Sequence, residues 1–203
     1  MKNSLLAAST ALLTAATAAQ AQDWSGFNAG ATLSVASSLF VWEETGTEYT
    51  DRFGTSGLGV FAGYNWQNGD RVIGIEASFE DTGGTGVFSG VPGPGDATAT
   101  LTSKSSLRAK TGKVNNNKLT YLFAGVSSVK SEVEAIGFSV ENDTHMGLSI
   151  GAGIDIQISQ TVFARMEVEH MRTNAITYQF CPFCLADVAY NQTTARVGIG
   201  MNF

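Results

Sequence analysis

The sequence predicts an eight-stranded antiparallel up-and-down β-barrel that crosses a membrane with its strands. Six segments clearly alternate apolar and polar residues with a period of two, the repeat of strands with one apolar face, and two weaker segments complete a set of eight. The connections between them are alternately long and short, and the small and charged residues share the face opposite to the apolar one. An up-and-down barrel in a membrane has this pattern, with short turns on one side and long loops on the other.

The first 21 residues predict an export signal. Lys2 supplies a positive charge, a stretch rich in Ala, Leu and Thr follows, and Ala19-Gln20-Ala21 fits a cleavage site. The stretch is too short and too rich in Ala and Thr for a good membrane-spanning helix. We therefore expect residues 1–21 to be a signal peptide and residues 22–203 to form one barrel domain.

The predicted strands follow in order along the mature chain. Six alternate clearly, over residues 27–35, 56–66, 72–80, 145–157, 162–170 and 193–203. Two are weaker, at 100–112 and 118–129. The first of these alternates three cations with three apolar residues: Lys104, Arg108 and Lys110 against Leu101, Leu107 and Ala109. The second is apolar on both faces at its start, which leaves its facing open.

The connections assign the two ends of the barrel. Short ones with tight-turn residues lie at 67–70, 113–118 and 158–161. Long ones rich in Gly, Ser, Thr and acidic residues lie at 37–55, 81–99, 131–144 and 172–188. We expect the short turns to face the periplasm and the long connections to be four surface loops.

Composition limits the kinds of partner and the classes of protein that fit this chain. The chain has a formal net charge of −6, which argues against nucleic acid because phosphate contacts need clustered Lys and Arg. Charged residues make up 15% of the chain, below the roughly 25% of typical soluble domains. Low charge and 23 Gly fit a lipid-facing barrel and a secreted β protein equally well. We expect no cofactor and no metal.

The polar face of the strands predicts ion pairs inside the barrel. Charges of both signs share this face with Gly, Ser and Thr, and Asp155 and Glu169 are among them. An interior of eight strands is just filled by side chains, which favours structural pairing over pore selectivity. The candidates for these pairs are Glu76, Arg108, Arg165, Glu167 and Arg196.

Aromatic residues cluster near the predicted strand ends. At the periplasmic end they are Trp24, Phe27, Tyr64, Trp66, Tyr121 and Phe203, and nearer the other end Phe79 and Tyr190. Aromatic girdles at both membrane interfaces have this distribution. Phe163 is an exception, because its position in the alternation faces the lumen.

The last strand predicts how the barrel closes. Its lipid face is Ala195, Val197, Ile199, Met201 and Phe203, and pairing with the first strand removes both sheet edges. A final Phe after alternating apolar residues resembles the signal by which outer-membrane assembly machinery takes up barrel proteins. The resemblance assigns this role to Val197, Ile199, Met201 and Phe203.

Two motifs resemble one family. The stretch "WSGFNAGATLSVAS" is similar to the W-x-G-F/Y-x-x-G opening of the small outer-membrane β-barrel domain family, the opacity-like porin-family proteins. "ARMEVEHM" resembles its seventh strand, where Arg165 and Glu167 face inward. The resemblance implies a bacterial outer-membrane location among lipid and lipopolysaccharide. It also implies a non-enzymatic role and loops that contact host surfaces or other ligands.

The stretch "CPFC" places Cys181 and Cys184 in the last long connection. Such a pair is a redox motif or half a zinc site in other contexts, but there is no second pair to complete four ligands. In an exported chain we expect a disulfide.

His170 raises the first alternative, an outer-membrane lipid-modifying enzyme. It falls on the lipid-facing side near the outer rim, where lipid A deacylases carry a Ser/His/acid site. Those enzymes resemble H-x-S-N, whereas this chain has Arg172 in the serine position and Thr173 one step later. We place no nucleophile within reach of His170 and expect no enzyme. The second alternative, a soluble lipocalin-like binding barrel, would need an apolar lumen.

Overall fold

Long β-strands make up almost all of the computed structural model. It describes residues 23–203 except 45, 92–94, 136–140 and 182–183, so the predicted signal peptide at 1–21 lies outside the described residues. The strands are β1 (Gly26–Glu44), β2 (Thr47–Asn68), β3 (Arg71–Val91), β4 (Gly95–Asn115), β5 (Lys118–Ala135), β6 (Glu141–Gln157), β7 (Val162–Thr173), β8 (Ile176–Cys181) and β9 (Cys184–Asn202). In this described part, no helix is long and apolar enough to cross a membrane.

The sheet closes on itself. Strands β1 to β7 pair antiparallel in sequence order, and β9 pairs with both β7 and β1. β8 also pairs with β9, beyond the point where β7 ends, so β7 and β8 are consecutive parts of one barrel strand interrupted at Asn174 and Ala175. The barrel therefore has eight antiparallel strands, and the predicted fold class is confirmed.

The strands are strongly staggered. The path from Ala29 through successive paired residues around the barrel returns to β1 at Leu39, ten residues further along. With a strand spacing of about 4.8 Å and a rise of about 3.3 Å per residue, this stagger tilts the strands by about 40°. Each residue then advances about 2.5 Å along the barrel axis.

Outward-facing apolar side chains form a continuous band. On β1 the band runs from Phe27 to Val35 and on β9 from Ala195 to Phe203, with these side chains exposed. Eight residues of tilted strand cover about 20 Å, close to the apolar height of outer-membrane barrels. We call this surface the apolar band.

The short turns lie at one end, as expected. β2 and β3 meet at the pair Asn68 and Arg71, and β4 and β5 meet at Asn115 and Lys118. Gly69 has a φ of 62° and Asn116 a φ of 54°, the left-handed region that Gly and Asn adopt most readily.

The sequence predicts the four long connections as loops, but strand pairing continues through most of their described residues. β1 and β2, for example, stay in register up to Glu44 and Thr47. Thr, Val and aromatic residues favour extended backbone, and pairing satisfies their peptide groups. Beyond Val35, β1 continues to Glu44, which is roughly 20 Å along the barrel axis. We call the described residues of the four segments 37–55, 81–99, 131–144 and 172–188 the arms.

One strand changes its facing along its length. Leu101 is buried in the lumen, although the alternation of β4 predicts that it faces outward. The register between β4 and β5 shifts between Leu101 and Ser103, and such an extra residue reverses the facing of the strand beyond it. Below the shift, Lys104 faces the lumen and Leu107 is exposed, as predicted.

Three aromatic residues expected in the girdles point inward instead. Trp24, Tyr121 and Tyr190 are all buried. Trp24 precedes β1, so the alternation of that strand does not govern it, and its ring packs on Phe163 with centroids 5.7 Å apart. β5, whose facing the sequence left open, buries Tyr121 between Leu119 and Phe123. Phe27, Trp66, Phe79 and Phe203 are exposed, as predicted.

Candidate functional site

Ten charged side chains from five strands meet in the middle of the lumen and are buried there. Five are cations and five are carboxylates, so their formal charges cancel. They share the inner face with Gly, Ser and Thr, whose small size leaves room for long side chains. We call this set the lumen network: Glu76, Glu80, Lys104, Arg108, Lys110, Asp155, Arg165, Glu167, Glu169 and Arg196.

Arg165 on β7 is the most buried cation of the network. Its Nε and Nη2 donate to Oδ1 and Oδ2 of Asp155, each at 2.8 Å. Its Nη1 donates to the two oxygens of Glu76 at 3.0 and 2.9 Å. The guanidinium carbon also lies 3.9 Å from the ring centre of Phe61. Bidentate arginine–carboxylate pairs are strong and directional, so Arg165 ties β7 to its neighbour β6 and across the lumen to β3.

Arg108 on β4 makes a second connection across the lumen. Its Nη2 lies 2.8 Å from both carboxylate oxygens of Glu167 on β7 and also donates to Glu76 on the adjacent β3. Tyr121 donates its hydroxyl to Glu167 at 2.7 Å. Nζ of Lys110 lies 3.3 Å from Glu76, so two cations of β4 contact this one carboxylate.

A second group lies nearer the arms. Lys104 on β4 donates to Glu169 on β7. Arg196 on β9 donates through Nη1 to Glu169 at 3.0 Å and through Nε to Glu80 on β3 at 2.7 Å. The hydroxyl of Ser34 donates to Glu80 at 2.8 Å. Both carboxylates therefore have a cation and a second donor.

Apolar and aromatic side chains fill the lumen on both sides of the network. The lower apolar layer, toward the short turns, is Trp24, Phe61, Val72, Val114, Leu119, Tyr121, Phe123 and Phe163. The upper apolar layer, toward the arms, is Phe40, Trp42, Phe53, Ala99, Leu101, Val129, Met171, Val188 and Tyr190. Between such layers the effective dielectric is low, which strengthens each ion pair and makes an unpaired charge costly.

The structure brings together all five residues predicted as lumen ion-pair candidates, Glu76, Arg108, Arg165, Glu167 and Arg196. Asp155 and Glu169, predicted on the same face, join them. Three members of the network were not named among the ion-pair candidates: Glu80, Lys104 and Lys110. Each lies an even number of residues from Glu76 or Arg108 on the same strand, so the alternation places them on the lumen face as well.

His170 lies on the outer wall and is exposed. The sequence places no nucleophile within reach of His170; in the structure its Nδ1 is 3.0 Å from Oγ1 of Thr193, because the two residues are partners in register on β7 and β9. Its partner on the other side is Ile150, so neither register neighbour supplies the acid of a catalytic triad.

The remaining predicted residues lie at the two ends of β9. Val197, Ile199, Met201 and Phe203 face outward, and the amide of Phe203 donates to the carbonyl of Phe27 at 2.8 Å. At the other end, Cys181 of β8 and Cys184 of β9 are backbone partners in register, and the predicted disulfide between their side chains lies outside what the structure describes. Across the described residues, no group of three or more His, Cys, Asp or Glu is placed to hold a metal ion.

Closed strands, an apolar band and a charged, filled lumen define a small membrane-spanning β-barrel. The chain belongs to the outer membrane protein beta-barrel domain family, whose profile matches residues 5–203. It is therefore a protein of the outer membrane.

Relatives in two bacteria agree with this assignment. A 22 kDa outer membrane protein of Rhizobium leguminosarum bv. viciae is 28% identical over 153 residues, which cover 73% of this chain and 68% of that protein. A 25 kDa outer-membrane immunogenic protein of Brucella canis is 26% identical over 151 residues, which cover 71% of this chain and 64% of that protein. The matched part thus spans about two thirds of the length of these relatives.

A solved structure shows the same fold. The outer membrane protein OprG from Pseudomonas aeruginosa has a TM-score of 0.59 at 14% identity, over 90% of this chain and 97% of that chain. At this identity the likeness describes the fold alone.

Proposed function

We propose that this protein is a structural component of the outer membrane whose lumen is closed to solutes, which catalyses no reaction, and whose arms contact partners outside the cell. One observation supports the closed lumen above all: ten buried charges pair across the barrel between two apolar layers. A solute would have to separate several of these pairs, and breaking a buried pair is strongly unfavourable. The lumen network is therefore a structural core and not a selectivity filter.

Planar-bilayer recording tests the closed lumen. The wild-type protein should add no current steps to those of an empty bilayer. The double substitution Arg165→Ala and Glu76→Ala removes two central side chains and should produce measurable steps. A matched control replaces the exposed pair Lys113 and Asp70 at a short turn with Ala and should stay silent. Steady conductance by the wild-type protein would overturn the proposal.

The absence of catalysis is tested at His170, the residue that favours the lipid-modifying alternative. Purified protein is incubated with lipopolysaccharide and with phospholipid, and released acyl chains are measured by mass spectrometry. We expect no release by the wild-type protein or by His170→Ala. Release by the wild-type protein that His170→Ala abolishes would establish the enzyme instead.

The proposal includes a processing step and an assembly step. Residues 1–21 are removed on export, so N-terminal sequencing of protein from the outer membrane should begin at Gln22. The assembly machinery of the outer membrane binds β9 through the alternating side chains that end at Phe203. An N-terminus other than Gln22 would contradict the assigned domain boundary.

The arms are the part that partners reach. The Brucella relatives are named immunogenic outer-membrane proteins, which supports exposure of such a barrel at the cell surface. Protease added to intact cells should cleave within the arms and leave the short turns uncut. Cleavage at the turns of intact cells would mean that the orientation is inverted.

A further inference from the structure

The cations of the barrel fall into three zones. Eleven Lys and Arg lie in residues 23–203, and five of them belong to the lumen network. Three are exposed at the short turns, namely Arg71, Lys113 and Lys118. The other three are exposed on the outer wall on the arm side of the apolar band, and they are Arg52, Lys130 and Arg172.

Two of these outer cations flank the seam where β9 closes on β1. Arg172 on β7 pairs in register with Asn191 on β9, which pairs with Leu39 on β1. Leu39 in turn pairs with Arg52 on β2. The two arginines therefore lie on either side of the seam, with Cα atoms about 14 Å apart along the sheet.

Polar side chains lie directly below them on the seam. Ser37 and Thr193 are partners in register, one outward position closer to the apolar band than Leu39 and Asn191. Nη1 of Arg52 donates to Oγ of Ser37 at 3.2 Å, so this arginine leans toward the membrane. On the other side of the seam, His170 contacts Thr193 at 3.0 Å. Arg52 and His170 thus each contact a hydroxyl group just above the apolar band.

The same seam carries an apolar furrow below this level. Two depressions of about 370 and 430 Å³ lie along it and share Ala31 and Ile199. The first also contacts Leu33 on the arm side, and the second reaches Phe203 at the periplasmic end. Only the outward pair Val35 and Ala195 separates the furrow from the polar residues above it.

We propose that this face of the barrel binds the phosphorylated, multiply acylated glycolipid of the outer leaflet. The phosphates lie against Arg52 and Arg172, and one acyl chain follows the furrow along the β1–β9 seam. Arginine suits this role because its planar fork matches phosphate oxygens and is weakly hydrated. Two cations stand at the level of lipid headgroups and complement phosphate there, while the outward carboxylates of the seam, Glu43, Glu48 and Asp187, lie two outward positions further from the apolar band. The inference rests on the proposed function in placing the arms outside the cell.

Native mass spectrometry of the detergent-solubilised barrel, titrated with bisphosphorylated lipid A, tests the proposal. Arg52→Gln combined with Arg172→Gln should weaken the apparent Kd about 30-fold, from the attraction of two surface cations for anionic lipid. The matched control, Lys113→Gln combined with Lys118→Gln, removes the same charge at the other end and should bind like the wild type. Heat-dependent gel mobility checks that each variant is folded.

Further probes separate the parts of the site. Ala31→Trp fills the furrow from the lipid side and should weaken lipid A binding several-fold, and it serves as a second variant if the arginine pair does not fold. Dephosphorylated lipid A should bind weakly, and millimolar inorganic phosphate should not displace lipid A. The proposal is overturned if the arginine double variant and the lysine double variant bind lipid A equally well. It is also overturned if the wild-type protein binds phosphatidylglycerol as tightly as lipid A, or if inorganic phosphate displaces lipid A. None of these outcomes depends on whether the lumen conducts.

Discussion

Replacing Arg165 with Met removes a cation from the middle of the lumen while keeping a side chain of similar length. Asp155 then loses two guanidinium donors at 2.8 Å, while Glu76 keeps Arg108 and Lys110. Removal of one partner from a buried ion pair costs about 3–5 kcal/mol, because the other charge stays buried without its counter-charge; Asp155 keeps the neutral hydroxyl of Tyr121 at 3.0 Å. We expect Arg165→Met to lower the free energy of unfolding by about this amount.

Urea unfolding in phospholipid vesicles, followed by the gel mobility of folded and boiled protein, measures this change. Adding Asp155→Asn to Arg165→Met should recover part of the loss, because a neutral amide costs less to bury than a carboxylate. The control, Lys113→Met, breaks an exposed pair and should leave the transition unchanged. If Arg165→Met unfolds at the wild-type urea concentration, or if Asp155→Asn lowers stability further, the reasoning is refuted.

Three further predictions concern the ends of the barrel. Phe203→Asp should lower the amount of folded protein in the outer membrane, measured by fractionation, whereas Phe203→Leu should not; normal levels of Phe203→Asp would contradict the assembly role. Cys181 and Cys184 should form a disulfide, so alkylation of the denatured, unreduced protein should add no mass, and labelled thiols would argue against it. Lys113 donates to Asp70 at 3.1 Å and holds the pKa of that carboxyl below its ordinary value of 3.8. Lys113→Met should raise this pKa toward 3.8 in an NMR titration. Any stabilisation from this pair is fully present above the ordinary pKa of Asp70 and is lost as pH falls through the lowered pKa. An unchanged pKa of Asp70 in Lys113→Met would contradict the pairing.

Whether a side chain faces the lumen or the lipid could be predicted from the sequence wherever a strand keeps a strict period of two. Glu76 and Arg165 are inward residues on this ground alone, because successive side chains of a strand point to opposite sides. The alternation predicted the wrong side for Leu101, because one extra residue near Thr102 shifts the register with β5. No residue type in the sequence indicates this shift. The prediction that Trp24 belongs to the aromatic girdle was wrong for a different reason: Trp24 precedes the first strand, so the alternation does not apply to it.

The partners of the network could not be read from the chain. Arg165 and Glu76 are 89 residues apart in sequence. They meet because β3 and β7 face each other across a barrel with a stagger of ten residues, a property of the closed sheet as a whole. The arms were missed because Ser, Thr and Gly are common both in loops and in strands that stand in water.

Because β9 pairs with both β7 and β1, the barrel can close only after the last strand has been synthesised. A chain that stops after β8 would leave the backbone groups of β1 and β7 without partners in lipid, and it would also lack Arg196 beside Glu169 and Glu80. Such a fragment cannot form a stable closed barrel in the membrane. We therefore expect only chains that include β9 to fold stably in the membrane.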